Sequence, residues 1–274
     1  MTYKLREQLQ PDSTTYGTSG SASVTVSANN FAAENLTIEN GFDYPSNFAK
    51  AADDPTKLAD PQAVALKTDT GSDKALFKNV KFIGYQDTLF ANSGKHYFKR
   101  CYITGHVDFI FGAGQAVFDD CDIVSRDRGS ATNNGYITAA STQIANPYGF
   151  LFINCRLKKE SPAMADGSVT LGRPWHPTRN LPDGTRSADP NAIGNVVFRN
   201  CYMDAHISGK GWDAMAGKDK DGKRIWFQPQ DARFYEYGST GPGALTSDTR
   251  RLLSDSEAQN YDVTSTLGGW NPEQ

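Results

Sequence analysis

One six-residue pattern returns along this chain and limits its fold more than any other feature: a Phe, two mostly polar residues, a Val or Cys, one further residue, then an apolar one. It reads Phe77-Lys-Asn-Val-Lys-Phe82, Phe98-Lys-Arg-Cys-Tyr-Ile103, Phe118-Asp-Asp-Cys-Asp-Ile123, Phe152-Ile-Asn-Cys-Arg-Leu157 and Phe198-Arg-Asn-Cys-Tyr-Met203, with a degenerate copy at Ala33-Glu-Asn-Leu-Thr-Ile38. Polarity alternates with period two inside each copy, which predicts strands. Successive Phe positions lie 21, 20, 34 and 46 residues apart. The two short spacings match one turn of a parallel β-helix, and the longer ones imply loops inserted into a turn. Between the copies a second set of short strands is expected at Ala63-Val-Ala-Leu66, Asp108-Phe-Ile-Phe111, Tyr136-Ile-Thr-Ala139 and Val169-Thr-Leu171. A β-sandwich with coincidentally similar strands is the alternative, and five copies in one register argue against it.

All four cysteines, Cys101, Cys121, Cys155 and Cys201, occupy the same position of the pattern. In a stacked coil they form one column with neighbours about 4.8 Å apart, inside the Cα range of a disulfide. The pairing Cys101–Cys121 and Cys155–Cys201 joins neighbours and uses all four; a column of buried free thiols is the other reading. Two disulfides would place the protein in an oxidising compartment.

The same repeat brings two carboxylates together. Asp87 follows Phe77 by ten residues and Asp108 follows Phe98 by ten, so they hold equivalent positions on successive coils. At about 5 Å two such charges repel by roughly 3 kcal/mol at an effective dielectric near 20, so a cation or a shared proton is expected beside them. The pair suits a nucleophile next to a general acid. Gln86 adds an amide donor next to Asp87, and Asp108 lies in the apolar stretch His106-Val-Asp-Phe-Ile-Phe-Gly112. Arg173 of Leu171-Gly-Arg-Pro-Trp175 can hold one carboxylate ionised, and Trp175 offers a flat face on which a sugar ring stacks. There is no Gly-x-Ser-x-Gly elbow, and the four histidines show no zinc spacing, so neither a metal nor a cofactor is expected.

These motifs are the ones by which pectin methylesterases are identified. Pro61-Gln-Ala-Val-Ala-Leu66, Gly84-Tyr-Gln-Asp-Thr-Leu89, His106-Val-Asp-Phe-Ile-Phe-Gly112 and Leu171-Gly-Arg-Pro-Trp175 resemble four signatures of that family in their family order, and Phe234-Tyr-Glu-Tyr-Gly … Gly241-Pro-Gly243 a fifth. Gly211-Trp-Asp-Ala-Met215 through Ile225-Trp-Phe-Gln-Pro-Gln-Asp231 is similar to the bacterial branch. The resemblance implies an all-β, right-handed single-stranded parallel β-helix that hydrolyses the methyl esters of polygalacturonate through an aspartyl acyl-enzyme. Asp108 matches the nucleophile, Asp87 the general acid/base and Gln86 the oxyanion donor. Gln62 and Arg173 match substrate-binding and orienting residues; Trp175, Phe111 and Met215 match walls of the sugar cleft, and Thr18 a substrate-contacting Thr. Cys101–Cys121 resembles a disulfide of the bacterial branch. Phe90 stands where Tyr is the commoner family choice.

The implied partner is methylated homogalacturonan, handled by a monomer that is secreted to the extracellular space, or else periplasmic or an outer-membrane lipoprotein. A net charge of −3 supplies no general basic surface, which excludes nucleic acid as a partner and leaves an acidic polymer to local Arg or Lys plus stacking. No apolar run approaches the ~20 residues of a membrane span. Met1 to Glu7 is polar, without an apolar signal core. Family members begin with a further turn of β-helix and a helical cap, so residues 1–13 are expected to be an irregular segment of an incomplete N-terminus. Residues 14–253 then form the β-helix and residues 254–274 a tail, in which Ser254-Asp-Ser-Glu257 predicts a capping box. An inactive, carbohydrate-binding homologue, or an esterase or thioesterase with another substrate, are the competing functions.

Overall fold

In the computed structural model, which describes residues 2–3 and 17–273, three parallel sheets wind around one core. The first sheet runs through Thr2–Tyr3, Thr37–Asn40, Lys81–Ile83, Tyr102–Gly105, Asp122–Ser125, Arg156–Lys159 and Tyr202–Met203. The second takes Val24–Val26, Leu66–Thr68, Leu89–Ala91, Ile110–Gly112, Gly135–Ala140 and Val169–Gly172. The third takes Ala32–Glu34, Ala75–Lys78, Lys95–Lys99, Gln115–Asp119, Phe150–Ile153, Asn195–Arg199 and Arg233–Tyr237. Each coil contributes one strand to each sheet, the arrangement of a parallel β-helix. The expected irregular segment 1–13 lies outside the described residues apart from Thr2–Tyr3, which pair in parallel with Glu39–Asn40.

Each copy of the repeat spans two strands rather than one. The Phe is the last residue but one of a strand of the third sheet, the apolar last residue belongs to the first sheet, and a single left-handed residue turns the chain between them. That residue is Asn35, Asn79, Arg100, Asp120, Asn154 or Asn200, with φ between 51° and 56°. Asn and Asp tolerate this conformation better than most residues, which explains why they fill the third position in every copy but the one with Arg100. Asn79 Nδ2 also donates to Asn35 Oδ1 at 2.6 Å, tying two turns together.

Stacking places like on like, so the Phe residues form a column through the core. Phe77, Phe98, Phe118, Phe152 and Phe198 lie face to face with centroids 4.4–4.8 Å apart, all buried. The cysteines stack beside them. Neither expected disulfide is present: all four are buried free thiols. In a parallel register the four side chains point the same way, so each sulfur lies beside its neighbours in the column and also reaches a carbonyl of the coil before it. Cys101, Cys121 and Cys155 Sγ donate to the carbonyls of Phe77, Phe98 and Phe118 at 3.4, 3.3 and 3.2 Å. Burial pushes the Cys121 and Cys155 thiols up, keeping them protonated.

The last coil closes on a buried ion pair. Arg250 donates to Glu236 through Nε at 2.8 Å and through Nη2, and to the Gly243 carbonyl at 2.8 Å. The capping box at Ser254 forms, with Ser254 N donating to Glu257 Oε2 at 2.8 Å. The tail that follows lies on the outside of the third sheet, where Leu267 packs with Tyr97, Val117, Leu151 and Val197.

Candidate active site

Strands of the second sheet turn alternate residues inward and outward. Leu89, Ala91 and Ile110 enter the core, while Phe90, Phe111 and Ala139 line up on the outside with Val64 and Trp175. That outer face is the floor of a cleft of about 620 Å³. Phe90 and Phe111 stack at 4.2 Å, and Trp175 stands edge-on to both at 6.1 and 5.6 Å.

The two aspartates sit where the chain turns from the first sheet into the second. The strand expected to begin at Asp108 begins instead at Ile110, and the one expected at Ala63–Leu66 runs over Leu66–Thr68. For the first the reason is again a left-handed corner: Asp108 has φ 50°, and Asp87, at the equivalent place one coil earlier, φ 63°. The register Leu89↔Ile110 sets the two corners in line, and Asp87 N–H donates to the Val107 carbonyl at 3.1 Å. Two contacts hold the corners. Thr88 Oγ1 donates to the Thr104 carbonyl at 2.9 Å. Gly105 lets the turns close up, since a Cβ there would lie 2.3 Å from Phe109 Cβ and 2.5 Å from the Tyr85 carbonyl.

Asp108 is 6% exposed and Asp87 8%. Arg173 supplies the cation, donating Nε–H to Asp108 Oδ1 at 2.9 Å and Nη2–H to Oδ2 at 2.6 Å. This fork-to-fork geometry fixes a carboxylate's rotation as well as balancing its charge. The guanidinium also lies 3.9 Å over the Tyr136 ring. Burial opposes its charge, yet the Asp108 carboxylate outweighs burial and holds the Arg173 pKa above its ordinary value. Arg173 itself is placed by its backbone N–H, which donates to the Thr138 carbonyl at 3.0 Å.

All nine residues singled out for catalysis and substrate binding line this one cleft: Asp87, Asp108, Gln86, Gln62, Arg173, Trp175, Thr18, Phe111 and Met215. Gln62 brings a buried Oε1 with no protein donor among the described residues. Met215 arrives on an antiparallel hairpin, Met215–Lys218 with Arg224–Phe227, anchored by Phe227 stacking on His176 at 3.5 Å. Ser19, Thr178 and Arg186 also line the cleft and escaped sequence reasoning. The last two sit on a second hairpin, Thr178–Asn180 with Arg186–Ala188, inside an inserted loop where no repeat marks them. Among the described residues no cluster of His, Cys, Asp and Glu could hold a metal, and no helix is long and apolar enough to cross a membrane.

Comparison with known proteins agrees with this architecture. The pectinesterase family model matches residues 5–269. Pectinesterase A of Dickeya chrysanthemi is 50% identical over 267 residues, covering 96% of this chain and 72% of the relative. Pectinesterase 31 of Arabidopsis thaliana is 33% identical over 249 residues, covering 89% of this chain and 63% of the relative. Among solved structures, the pectin methylesterase of Yersinia enterocolitica superposes with a TM-score of 0.92 at 52% identity, over 98% of this chain and 83% of that one. A pectin methylesterase crystallised with a hexasaccharide gives 0.95 at 49% identity, over 98% and 79%. A family match over nearly the whole chain, a β-helix shared with bacterial members and half of all residues in common with one of them lead to one conclusion: the chain belongs to the pectinesterase family, the carboxylic ester hydrolases that demethylate pectin.

Proposed function

We propose that this chain cleaves the methyl esters of polygalacturonate through an acyl-enzyme on Asp108, with Asp87 as general acid/base and Gln86 as oxyanion donor. The observation that carries the reading is the bidentate Arg173–Asp108 pair beside an in-line Asp87, above an aromatic floor. An oxygen of Asp108, aimed by the guanidinium, attacks the ester carbonyl carbon. The carbonyl oxygen becomes an oxyanion, which the Gln86 amide stabilises; losing one such donor typically costs about 10²–10³ in rate. As the tetrahedral centre collapses, the bond to the methoxy oxygen breaks and Asp87 gives its proton to the departing methanol. Asp87, now a carboxylate, takes a proton from water as that water attacks the same carbon. The bond to Asp108 breaks, restoring both aspartates and releasing the galacturonic acid, which gives its proton to solvent. Trp175, Phe90 and Phe111 offer faces to the sugar rings, and Gln62, Thr18 and Met215 border them.

The polymer is a wall component, so the same reading puts the enzyme outside the cytoplasm, working as a monomer. Methanol release from highly methylated pectin tests it. The wild type should release methanol and Asp108→Asn should not; a folded wild type that releases none would refute it.

A further inference from the structure

We propose that the outer face of the hairpin formed by Met215–Lys218 and Arg224–Phe227 is a second carbohydrate site, which binds de-esterified, anionic galacturonan outside the cleft. The inference rests on the esterase reading above and adds a site that the chemistry itself does not need. Cross-strand partners share a face: Met215 with Phe227 and Gly217 with Ile225 on one side, Ala216 with Trp226 and Lys218 with Arg224 on the other.

The first face is occupied. Met215 lines the cleft and Phe227 stacks on His176. A Cβ on Gly217 would approach the Phe227 ring to 2.8 Å and Ala188 to 3.1 Å.

On the second face, Trp226, Lys218 and Arg224 are exposed among the described residues. Trp226 is 55% exposed and offers a broad amphipathic ring on which a sugar can stack. The Arg224 guanidinium lies 4.6 Å from its ring centroid. Lys218 stands alongside and Lys220 and Lys223 sit in the connecting turn, all exposed. None of these four cations enters an ion pair among the described residues. Of the two carboxylates in the turn, Asp219 accepts from the backbone N–H groups of Asp221 and Lys223. A chain of net charge −3 thus concentrates unpaired positive charge around one exposed indole.

That chemistry matches a polygalacturonate strand. The apolar face of a sugar stacks on the indole, and carboxylates at the spacing of the polymer meet the guanidinium and ammonium groups. A methylated strand offers no charge there, so the site prefers the reaction's product to its substrate. An anionic lipid surface would call for several apolar side chains to insert, and this face offers one. The site also borders the cleft, because Arg186–Ala188, which carries Arg186 into the cleft, packs against Met215–Lys218. A product strand held there keeps the enzyme on a polymer it has begun to demethylate.

The test measures affinity of the full chain for fully de-esterified polygalacturonate at low salt, together with the initial rate of methanol release from fully methylated pectin. Lys218→Ala/Arg224→Ala and Trp226→Ala should each weaken polygalacturonate binding by about tenfold. Trp226→Phe should stay within about twofold, and the initial rate should stay within about twofold in all three. Wild-type affinity in the Ala variants overturns the proposal. So does a loss confined to phosphatidylglycerol vesicles, or a fall in methanol release that parallels the fall in affinity. A wild type that releases no methanol sinks the esterase reading alone, and the polygalacturonate comparison still decides this one.

Discussion

Replacing Arg173 with Lys keeps the charge and removes the fork. In the structure the guanidinium makes two charge-assisted hydrogen bonds to Asp108, at 2.9 and 2.6 Å, and a face contact with Tyr136 at 3.9 Å. An ammonium on a flexible stem reaches one carboxylate oxygen as a point donor and stacks poorly. The lost hydrogen bond is worth about 1.5–3 kcal/mol and the lost ring contact about 0.5–2 kcal/mol. Part of this falls on folding and part on the reaction, since a carboxylate free to rotate must be re-aimed each turnover. If about 3 kcal/mol falls on the transition state, kcat drops by roughly 10², with KM changed little because the sugar-facing residues are untouched. Arg173→Ala should be worse and also less stable, by about 3–5 kcal/mol, because it leaves the nearly buried Asp108 without its counter-charge. Initial rates of methanol release across a pectin concentration series separate kcat from KM, and urea midpoints report the folding part. A Lys variant with kcat within threefold of wild type would show that the fork does not position the nucleophile.

Three further outcomes follow from the core. His96, His106 and His206 are buried, and burial pushes their pKa values down to about 4, 3 and 4 from 6.5. They stay neutral when folded and take up protons on unfolding, so their stability contribution is full above pH 6.5 and is lost as pH falls toward 4. Unfolding free energies from urea titrations should therefore decline from pH 7 to pH 5 by a total of about 5 kcal/mol, and His206→Asn should flatten the slope. Phe152 is stacked on both sides, by Phe118 and Phe198, so Phe152→Ala should cost about 3–5 kcal/mol in chemical denaturation. Arg250→Ala strands the buried Glu236 and should cost about 3–5 kcal/mol, most of it recovered in Arg250→Met/Glu236→Leu; equal losses in single and double variants would mean that the pair's charge is immaterial.

The cysteines mark where sequence spacing stops being informative. One column of four equally placed residues follows from the repeat, and the column is present. Whether neighbours bond depends on rotation about the Cα–Cβ bonds, which spacing does not encode. In the structure neighbouring thiols lie side by side without bonding, and each sulfur reaches a carbonyl of the preceding coil. Thr178 and Arg186 were hidden for a different reason. They lie on an antiparallel hairpin in the 46-residue stretch between Phe152 and Phe198, where the chain leaves the coil and neither the 20-residue period nor a motif applies.

The aspartate pair was legible because equal offsets from Phe77 and Phe98 survive folding as equal places on stacked coils, and any residue at that offset meets its counterpart. What the offset did not reveal is that the place is a corner. A strand residue at Asp108 would point either into the core or straight out of the sheet, beside Phe111. At φ 50° the chain bends there instead, and the carboxylate meets Arg173, which approaches from two coils further on, after the strand Val169–Gly172. Left-handed backbone at a non-glycine residue costs about 1–2 kcal/mol, least for Asp and Asn. The same conformation recurs at Asn35, Asn79, Asp120, Asn154 and Asn200, where it only turns the chain from the third sheet into the first. The coil thus uses one device at two of its corners, and the corner leading into the second sheet has aspartates facing a cleft. Gly at position 108 would ease the backbone and remove the carboxylate, so the strain at this corner is inseparable from the group it presents.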